Sequence, residues 1–372
     1  MYALAAFTEA NQGSLQASGR LFLPNIVRTG LPAGLSVGAV IWGRSLGLSP
    51  VILGGTIGAI AGAVIIAWLL TRERLVVGGR PEPFLERVNF KIGQNYRALV
   101  TATAITYVSP LLGQWMASFL GPGAVSHLGY ANRLTAGIIS LVTSALAPAI
   151  LGFYAHRLAV YGTPAIRQPF VEMTRACAWV GCLMTLGVWQ TSDFLIGLVY
   201  LHGHFTTRDA DQVRALVDYY ALTFPLLLAA SSANTLIFAL SKNWILVPIC
   251  SAVLVANVVG NIVLMGWLGI NGIALSSSLT YALSMLLMNA YLQYTGAIRV
   301  SNSEWFKIGL PFLCLGVAAI VPFGMSVRVT VDPRASEVLA SIALLGAFTI
   351  LAVTANGGLA RVFLPSSVSR SG

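Results

Sequence analysis

Long apolar stretches separated by short polar segments run through most of this chain. Each stretch is about as long as a membrane-spanning helix, which needs roughly 20 apolar residues. The short connections leave no room for a soluble domain of any size. The pattern therefore predicts an all-α, polytopic membrane bundle with about ten transmembrane helices, over residues 24–43, 48–71, 95–119, 129–152, 171–200, 214–240, 244–268, 270–294, 304–325 and 335–354.

A loose internal repeat relates two parts of the chain. A proline, an apolar helix, a Trp, a Gly and a second apolar helix occur near the start and again about 222 residues later, so that Pro24 corresponds to Pro248 and Gly47 to Gly269. Parallel repeats of helix bundles are a transporter architecture, with the substrate cavity between the repeats. Four membrane-length segments precede the second copy and almost none precedes the first. We therefore expect one whole lobe and the tail of another.

The longest polar stretch divides the chain further, because glycines and prolines at its centre break any helix. The expected parts are a partial N-terminal lobe, a cytoplasmic linker, a second six-helix lobe, two additional C-terminal helices and a cytoplasmic tail. Their ranges are 1–71, 72–94, 95–294, 295–354 and 355–372, respectively.

Composition supports a membrane protein and charge supports its orientation. Only 9% of the residues are charged and the mean hydropathy is +0.79, whereas a soluble domain carries about 25% charged residues. The net charge of +10 could indicate nucleic-acid binding. However, one set of alternate loops carries 14 of the 22 basic residues and the other set only 5. This asymmetry follows the positive-inside rule and predicts cytoplasmic termini and no nucleic-acid partner.

Motifs for catalysis or metal binding are missing from the sequence. It has no G-x-S-x-G, no H-E-x-x-H and no glycine-rich phosphate loop, so we do not expect an enzyme. The four cysteines form no C-x-x-C pair and fall inside predicted helices, where they serve as packing residues rather than as disulfides or metal ligands. No cofactor is predicted, although coupling to sodium ions or protons is possible.

Arginines inside or near predicted membrane helices are candidate binding residues, because charge in a membrane is costly. Arg133 lies one turn into its helix, behind Tyr130 and Asn132. Facing a cavity, its guanidinium would bind a diphosphate bidentately; facing lipid, it would extend to the headgroups. Arg28 lies near a cytoplasmic helix end, where it would extend to the headgroups or bind them.

Polar residues on two later helices leave a second choice open. Asn257 and Asn261 are spaced i, i+4 and share one helix face, and Ser277 lies on the next helix. They would either join the helices by hydrogen bonds or form a cation site of amide and hydroxyl oxygens. Asp193 and Asp218, near outer helix ends, would either couple transport to a cation or be solvated surface groups.

The longest outward loop, residues 201–213, contains a helix-start signal. Thr206 with Asp209, or Thr207 with Asp211, would cap the next helix. The alternative is a substrate gate containing the two histidines of the His-Gly-His stretch that begins at residue 202.

Several motifs together resemble those of the MurJ-type lipid II flippases, in the multidrug/oligosaccharidyl-lipid/polysaccharide exporter superfamily. Residues 123–134, GAVSHLGYANRL, are similar to the family's G-A-V-S-x-L-x-Y-A-D-R-L, with Asn132 replacing Asp. Residues 203–225 resemble the family's G-x-F-T…Y-A-L-x-x-P, and residues 268–276 its L-G-x-x-G-L-A-L-A. The resemblance runs colinearly over nearly the whole chain.

The resemblance implies fourteen helices, of which this chain would hold the equivalents of helices five to fourteen. Arg133 is the one cavity arginine that it assigns to this sequence. Our further substrate-binding candidates are Tyr130 and Asn132, from the same motif, and Arg28, from its position near a helix end. An acidic residue that the family has on the helix 95–119 aligns here with Gly113.

The implied function is a flippase that moves an undecaprenyl-diphosphate-linked peptidoglycan precursor, such as lipid II, across the bacterial inner membrane by alternating access. A flippase for polysaccharide or O-antigen repeats, a cation-coupled multidrug antiporter and a truncated, nonfunctional product are the alternatives. The expected partners are a lipid-linked oligosaccharide and membrane lipids, and we expect a monomer.

Overall fold

The computed structural model describes residues 49–72, 84–201 and 205–325. All regular structure in these ranges is helical, which confirms the predicted all-α fold class. Five stretches of these ranges are long and apolar enough to cross a membrane. The α-helices are Ser49–Arg72 (α1), Phe84–Ala117 (α2), Ala124–Tyr161 (α3), Arg167–Tyr200 (α4), Thr207–Ala221 (α5), Thr223–Ala239 (α6), Leu246–Leu268 (α7), Ile270–Tyr294 (α8) and Asn302–Met325 (α9).

The helix bounds follow the hydropathy pattern closely where glycine or proline marks a boundary. Helix α8 has the bounds 270–294 that the sequence predicts, because Gly269, with φ of +58°, ends α7. Helix α2 starts eleven residues before its predicted apolar span, at Phe84. The apolar span marks only the part of a helix that lies in the membrane, whereas polar residues with high helix propensity continue the helix outside that span. The predicted spans 24–43 and 335–354 lie outside the described residues.

The chain divides into two compact units. Of the described residues, the first contains 49–72, 84–89 and 144–152, and the second contains 90–143, 153–201 and 205–325. In the first unit, Ala59, Ala63 and Ile66 of α1 are buried and lie on one helix face. The lobe and linker boundaries predicted from the sequence stay predictions.

The second unit is built around two helices. Helix α4 packs against α5, α6 and α9, and helix α8 packs against α5, α6 and α7. Their shared core includes Val188, Val217, Phe224 and Ile273, all nearly inaccessible to solvent. Because α4 and α8 hold most of the other helices, they form the scaffold on which the polar side chains are placed.

One predicted span, 214–240, is two helices in the structure. Helix α5 ends at Ala221 and α6 begins at Thr223. Pro225 causes the break, since it lacks the N–H that would donate to the carbonyl of Ala221 four residues earlier. The hydroxyl of Thr185 on α4 donates to that carbonyl instead, at 2.7 Å. A neighbouring helix thus satisfies the group that proline leaves without its usual donor.

Two further side chains hold the last turn of α5. The indole N–H of Trp189 on α4 donates to the carbonyl of Asp218 at 3.0 Å. The hydroxyl of Ser278 on α8 donates to the carbonyl of Tyr219 at 3.0 Å. The junction between α5 and α6 is therefore fixed from both scaffold helices.

We expect Thr185→Val to lower the unfolding free energy of the second unit by about 1–2 kcal/mol, because the buried carbonyl of Ala221 then lacks a donor. Thermal unfolding in detergent measures this change. The matched control is Thr191→Val on the same helix, since the exposed hydroxyl of Thr191 donates only to Gly187 within its own helix. Equal melting temperatures for the two variants would contradict the prediction.

Helices α4 and α6 approach each other closely at Gly181. A Cβ atom built on Gly181 would lie inside the backbone of Phe224 and Pro225. Gly187, on the same helix, has no atom within 4 Å of such a position. Glycine at residue 181 is therefore required by the contact, whereas glycine at residue 187 is not.

Helix α9, one of the two additional helices, packs against α4. Arg167 and Glu304 form an ion pair of 2.8 Å between the starts of the two helices. Farther along, Trp179, Leu186 and Leu315 are buried together in this interface. Arg167 and Glu304 are partly exposed, so the ion pair contributes little stability and mainly fixes the register of α9.

Candidate functional site

A cavity of about 550 Å³ lies within the second unit, among α2, α3, α5, α6, α7 and α8. Its polar lining consists of hydroxyl, amide and thiol groups, and no Asp, Glu, Lys, Arg or His side chain lines it among the described residues. The polar groups include Gln114, Asn132, Ser231, Asn234 and Ser277. The cavity thus brings together two of the predicted site residues, Asn132 and Ser277.

Arg133 follows the cavity residue Asn132 along α3 but does not line the cavity. Successive residues of a helix point about 100° apart, which separates the two side chains. Arg133 is exposed, and it forms no salt bridge or hydrogen bond with another described residue; its electrostatic neighbour is Tyr200. No described side chain neutralises its guanidinium. Its predicted role as a diphosphate ligand stays a prediction.

Tyr130 belongs to an aromatic cluster with Tyr200 and Phe205. The centroid of the Tyr130 ring lies 5.0 Å from that of the Tyr200 ring and 5.5 Å from that of the Phe205 ring. The hydroxyl of Tyr200 also donates to the carbonyl of Tyr130 at 3.0 Å. These contacts fix the start of α3, one turn from Arg133. Arg28, the fourth predicted binding residue, lies outside the described residues.

Asn257 and Asn261 are 1% and 0% exposed and join three helices. The carboxamide oxygen of Asn257 accepts from the Ser109 hydroxyl at 2.9 Å and from the Asn261 amide at 3.2 Å. Ser276 donates to the Asn257 carbonyl at 3.2 Å, and Ser277 donates within its own helix to Ile273. This network connects α2, α7 and α8 in the way expected of interhelical hydrogen bonds.

The same residues are a poor donor set for a cation. No carboxylate belongs to this cluster in the described part of the chain, and Gly113 stands where the resemblance places an acidic residue. The Asn257 oxygen already accepts two hydrogen bonds, and the Asn261 oxygen is the one oxygen of the pair that lacks a partner among the described residues. The cation site stays a prediction, and no transport step is assigned to it.

The predicted cap in the outward loop is confirmed for its first alternative. Thr206 accepts from the backbone N–H of Asp209 at 3.2 Å, and Asp209 accepts from the backbone N–H of Thr206 at 3.0 Å. Asp209 also contacts His127 of α3 at 2.9 Å, a contact that sequence reasoning missed. The alternative gate involves residues 202 and 204, which lie outside the described residues.

The two carboxylates predicted near outer helix ends, Asp193 and Asp218, have different surroundings. Asp193 is exposed and pairs with Arg214 at 2.8 Å, as a solvated surface group does. Asp218 is half-buried, and its Oδ1 atom lacks a hydrogen-bond partner among the described residues. Neither residue lines the cavity.

Comparison with known proteins identifies relatives over most of the chain. Residues 1–334 match the family described as lipid II flippase MurJ. A probable lipid II flippase MurJ from Bdellovibrio bacteriovorus is 24% identical over 271 residues, which are 70% of this chain and 49% of the relative. A probable lipid II flippase MurJ from Aquifex aeolicus is 22% identical over 257 residues, 68% of this chain and 48% of the relative.

The chain therefore spans about half the length of these curated relatives. A solved structure titled lipid II flippase MurJ, inward closed conformation, covers 94% of this chain and 71% of that chain. Its TM-score is 0.63 at 15% sequence identity, so the likeness is one of fold.

Proposed function

Because this chain belongs to the MurJ family of lipid II flippases, we propose that it moves a lipid-linked peptidoglycan precursor across a bacterial inner membrane by alternating access. The chain is a multi-pass membrane protein, with five membrane-length apolar stretches in its described part. The distribution of basic residues supports cytoplasmic termini. The family match favours this function over export of polysaccharides or drugs.

The observation that supports this proposal most directly is the state of Arg133. Its guanidinium is exposed and makes no salt bridge in the described part of the chain. A planar guanidinium binds phosphate oxygens bidentately and keeps its charge at all relevant pH values. In the proposed mechanism it binds the diphosphate while the lipid tail stays in the bilayer.

The strength of the Arg133 contact also determines how easily the cargo is released. A carrier works when its affinity for the cargo is high enough for capture but low enough for release. One charge-assisted contact contributes about 1.5–3 kcal/mol, which suits a site that must empty in each cycle. A single arginine therefore supports recognition of the diphosphate without trapping it.

The proposal is tested by complementation of a strain depleted of its own lipid II flippase. We express either this chain or a fusion protein in that strain. In both cases we expect growth, and we expect lipid II to be accessible at the outer face of the inner membrane. In the fusion, an N-terminal portion of the Bdellovibrio relative is joined ahead of residue 1. Membrane insertion of both proteins is verified by fractionation. If both insert and neither restores accessible lipid II, the proposed function is wrong.

A further inference from the structure

The cavity of the second unit carries no charge on its described lining residues, which restricts what it can bind. A phosphate or carboxylate that entered would lose its hydration without meeting a cation. The volume of about 550 Å³ falls within the range of about 300–1,000 Å³ that small-molecule sites have. The cavity therefore selects an uncharged ligand or part of a ligand.

Three amide side chains define the polar character of this cavity. Gln114 of α2, Asn132 of α3 and Asn234 of α6 are half-buried and line the cavity from three different helices. Their side chains make no hydrogen bond to another residue of the described ranges. Each amide offers two donors and one acceptor oxygen. An alkyl chain in the cavity would leave all three without partners, whereas hydroxyl and acylamino groups would satisfy them.

Aromatic side chains in the cavity would provide apolar contacts for such a ligand. Tyr220 and Tyr281 line the same cavity as the three amides. A sugar ring has hydroxyl groups along its edge and C–H groups on its faces. Amides can bind the edge while aromatic rings pack against a face, with both apolar and polar contacts made at once.

We propose that this cavity binds the uncharged sugar part of the cargo, with Gln114, Asn132 and Asn234 determining specificity. The assignment of the sugar to a transported cargo rests on the proposed function; the binding of a neutral sugar does not. In a glycosyl diphosphate the sugar is bonded directly to the phosphate. The protein has the same order of groups on α3: Asn132, which lines the cavity, would bind the neutral sugar, and the next residue, Arg133, would bind the charged phosphate outside the cavity.

Cys250 provides a local reporter for the test, because its side chain lines the cavity. Cys314 is also partly exposed but lies on α9, away from the cavity lining, and serves as an internal control. Cys177 and Cys182 are buried. The whole chain is placed in phosphatidylcholine nanodiscs, which avoids sugar-based detergents. Maleimide labelling of each cysteine is then followed by peptide mass spectrometry.

With di-N-acetylchitobiose at millimolar concentration, we expect the labelling rate of Cys250 to fall about fivefold, as a weak millimolar site allows. The rate at Cys314 should not change. N-acetylglucosamine 6-phosphate should protect Cys250 at least fivefold less well, because its charge has no partner in the cavity.

The variants Asn234→Leu and Asn132→Leu should each reduce the protection of Cys250, and Thr191→Val should leave it unchanged. Leucine has the same number and branching of side-chain heavy atoms as asparagine, lacks its polar group and favours a helix, so the helix should fold. Melting temperatures close to the parent chain verify this. A second measurement, protection of Cys250 in Gln114→Leu, keeps the test decisive if one variant fails to fold.

Three results would overturn the inference: no protection by the disaccharide, equal protection by the phosphorylated sugar, or protection by a long-chain alcohol alone. The last would show a lipid chain in the cavity. Protection without complementation of the depleted strain would support the sugar site and reject the proposed transport. Complementation without protection would support the transport and reject the sugar site.

Discussion

Replacing Gly181 by alanine is expected to lower the unfolding free energy of the second unit by about 3 kcal/mol. The added methyl group would lie inside the backbone of Phe224 and Pro225. Backbone atoms cannot rotate away as a side chain can, so α4 and α6 must separate. Their separation also draws Thr185 away from the Ala221 carbonyl, which sits at the same contact.

Fluorescence-detected size-exclusion chromatography after heating measures this loss. Gly187→Ala is the matched control, because it makes the same substitution on the same helix in open space. There we expect unchanged or slightly raised stability, since alanine favours a helix over glycine by up to about 1 kcal/mol. If the Gly181→Ala and Gly187→Ala variants have the same melting temperature, the close contact of α4 and α6 is not present in the protein.

Replacing Arg133 by alanine should abolish complementation of the flippase-depleted strain. This applies to the chain itself and to the fusion, whichever of them complements. Loss of a charge-assisted contact of about 1.5–3 kcal/mol corresponds to a 10- to 150-fold loss in the rate of cargo capture. Arg133→Lys should retain part of the activity, because lysine keeps the charge but not the bidentate geometry. Lipid II accessible at the outer face gives the quantitative readout.

The control for this prediction is Arg208→Ala. Arg208 is also exposed and lies in the first turn of α5, so its removal changes the net charge equally. We expect full complementation from this variant. An Arg133→Ala chain that inserts normally and complements as well as Arg208→Ala would show that Arg133 does not bind the cargo.

Features that depend on a few neighbouring residues could be predicted from the sequence. The bounds of α8 follow from Gly269 and an unbroken apolar run. The capping box of Thr206 and Asp209 spans only four residues, and its residue types alone predict it. Such signals need no knowledge of the remaining chain.

Features that depend on distant partners could not be predicted. His127 and Asp209 are 82 residues apart, and nothing near His127 indicates its partner. The break between α5 and α6 could have been suspected from Pro225. Its stabilisation by Thr185 on another helix could not, because that contact depends on how α4 packs.

The candidate site shows the same limit. The sequence placed Asn132 and Arg133 together in one motif, but the orientation of α3 decides which side chain enters the cavity. Hydropathy could not separate them, since both are polar. The absence of charge from the described cavity lining likewise depends on which faces of six helices meet.

The junction at Leu222 has a consequence for motion. Side chains of α4 and α8 hold the end of α5 through the carbonyls of Asp218, Tyr219 and Ala221. A tilt of α5 alone would break three hydrogen bonds, one of them buried and two partly buried. In the proposed transport cycle we therefore expect the end of α5 to move together with α4 and α8, and any bending to occur elsewhere.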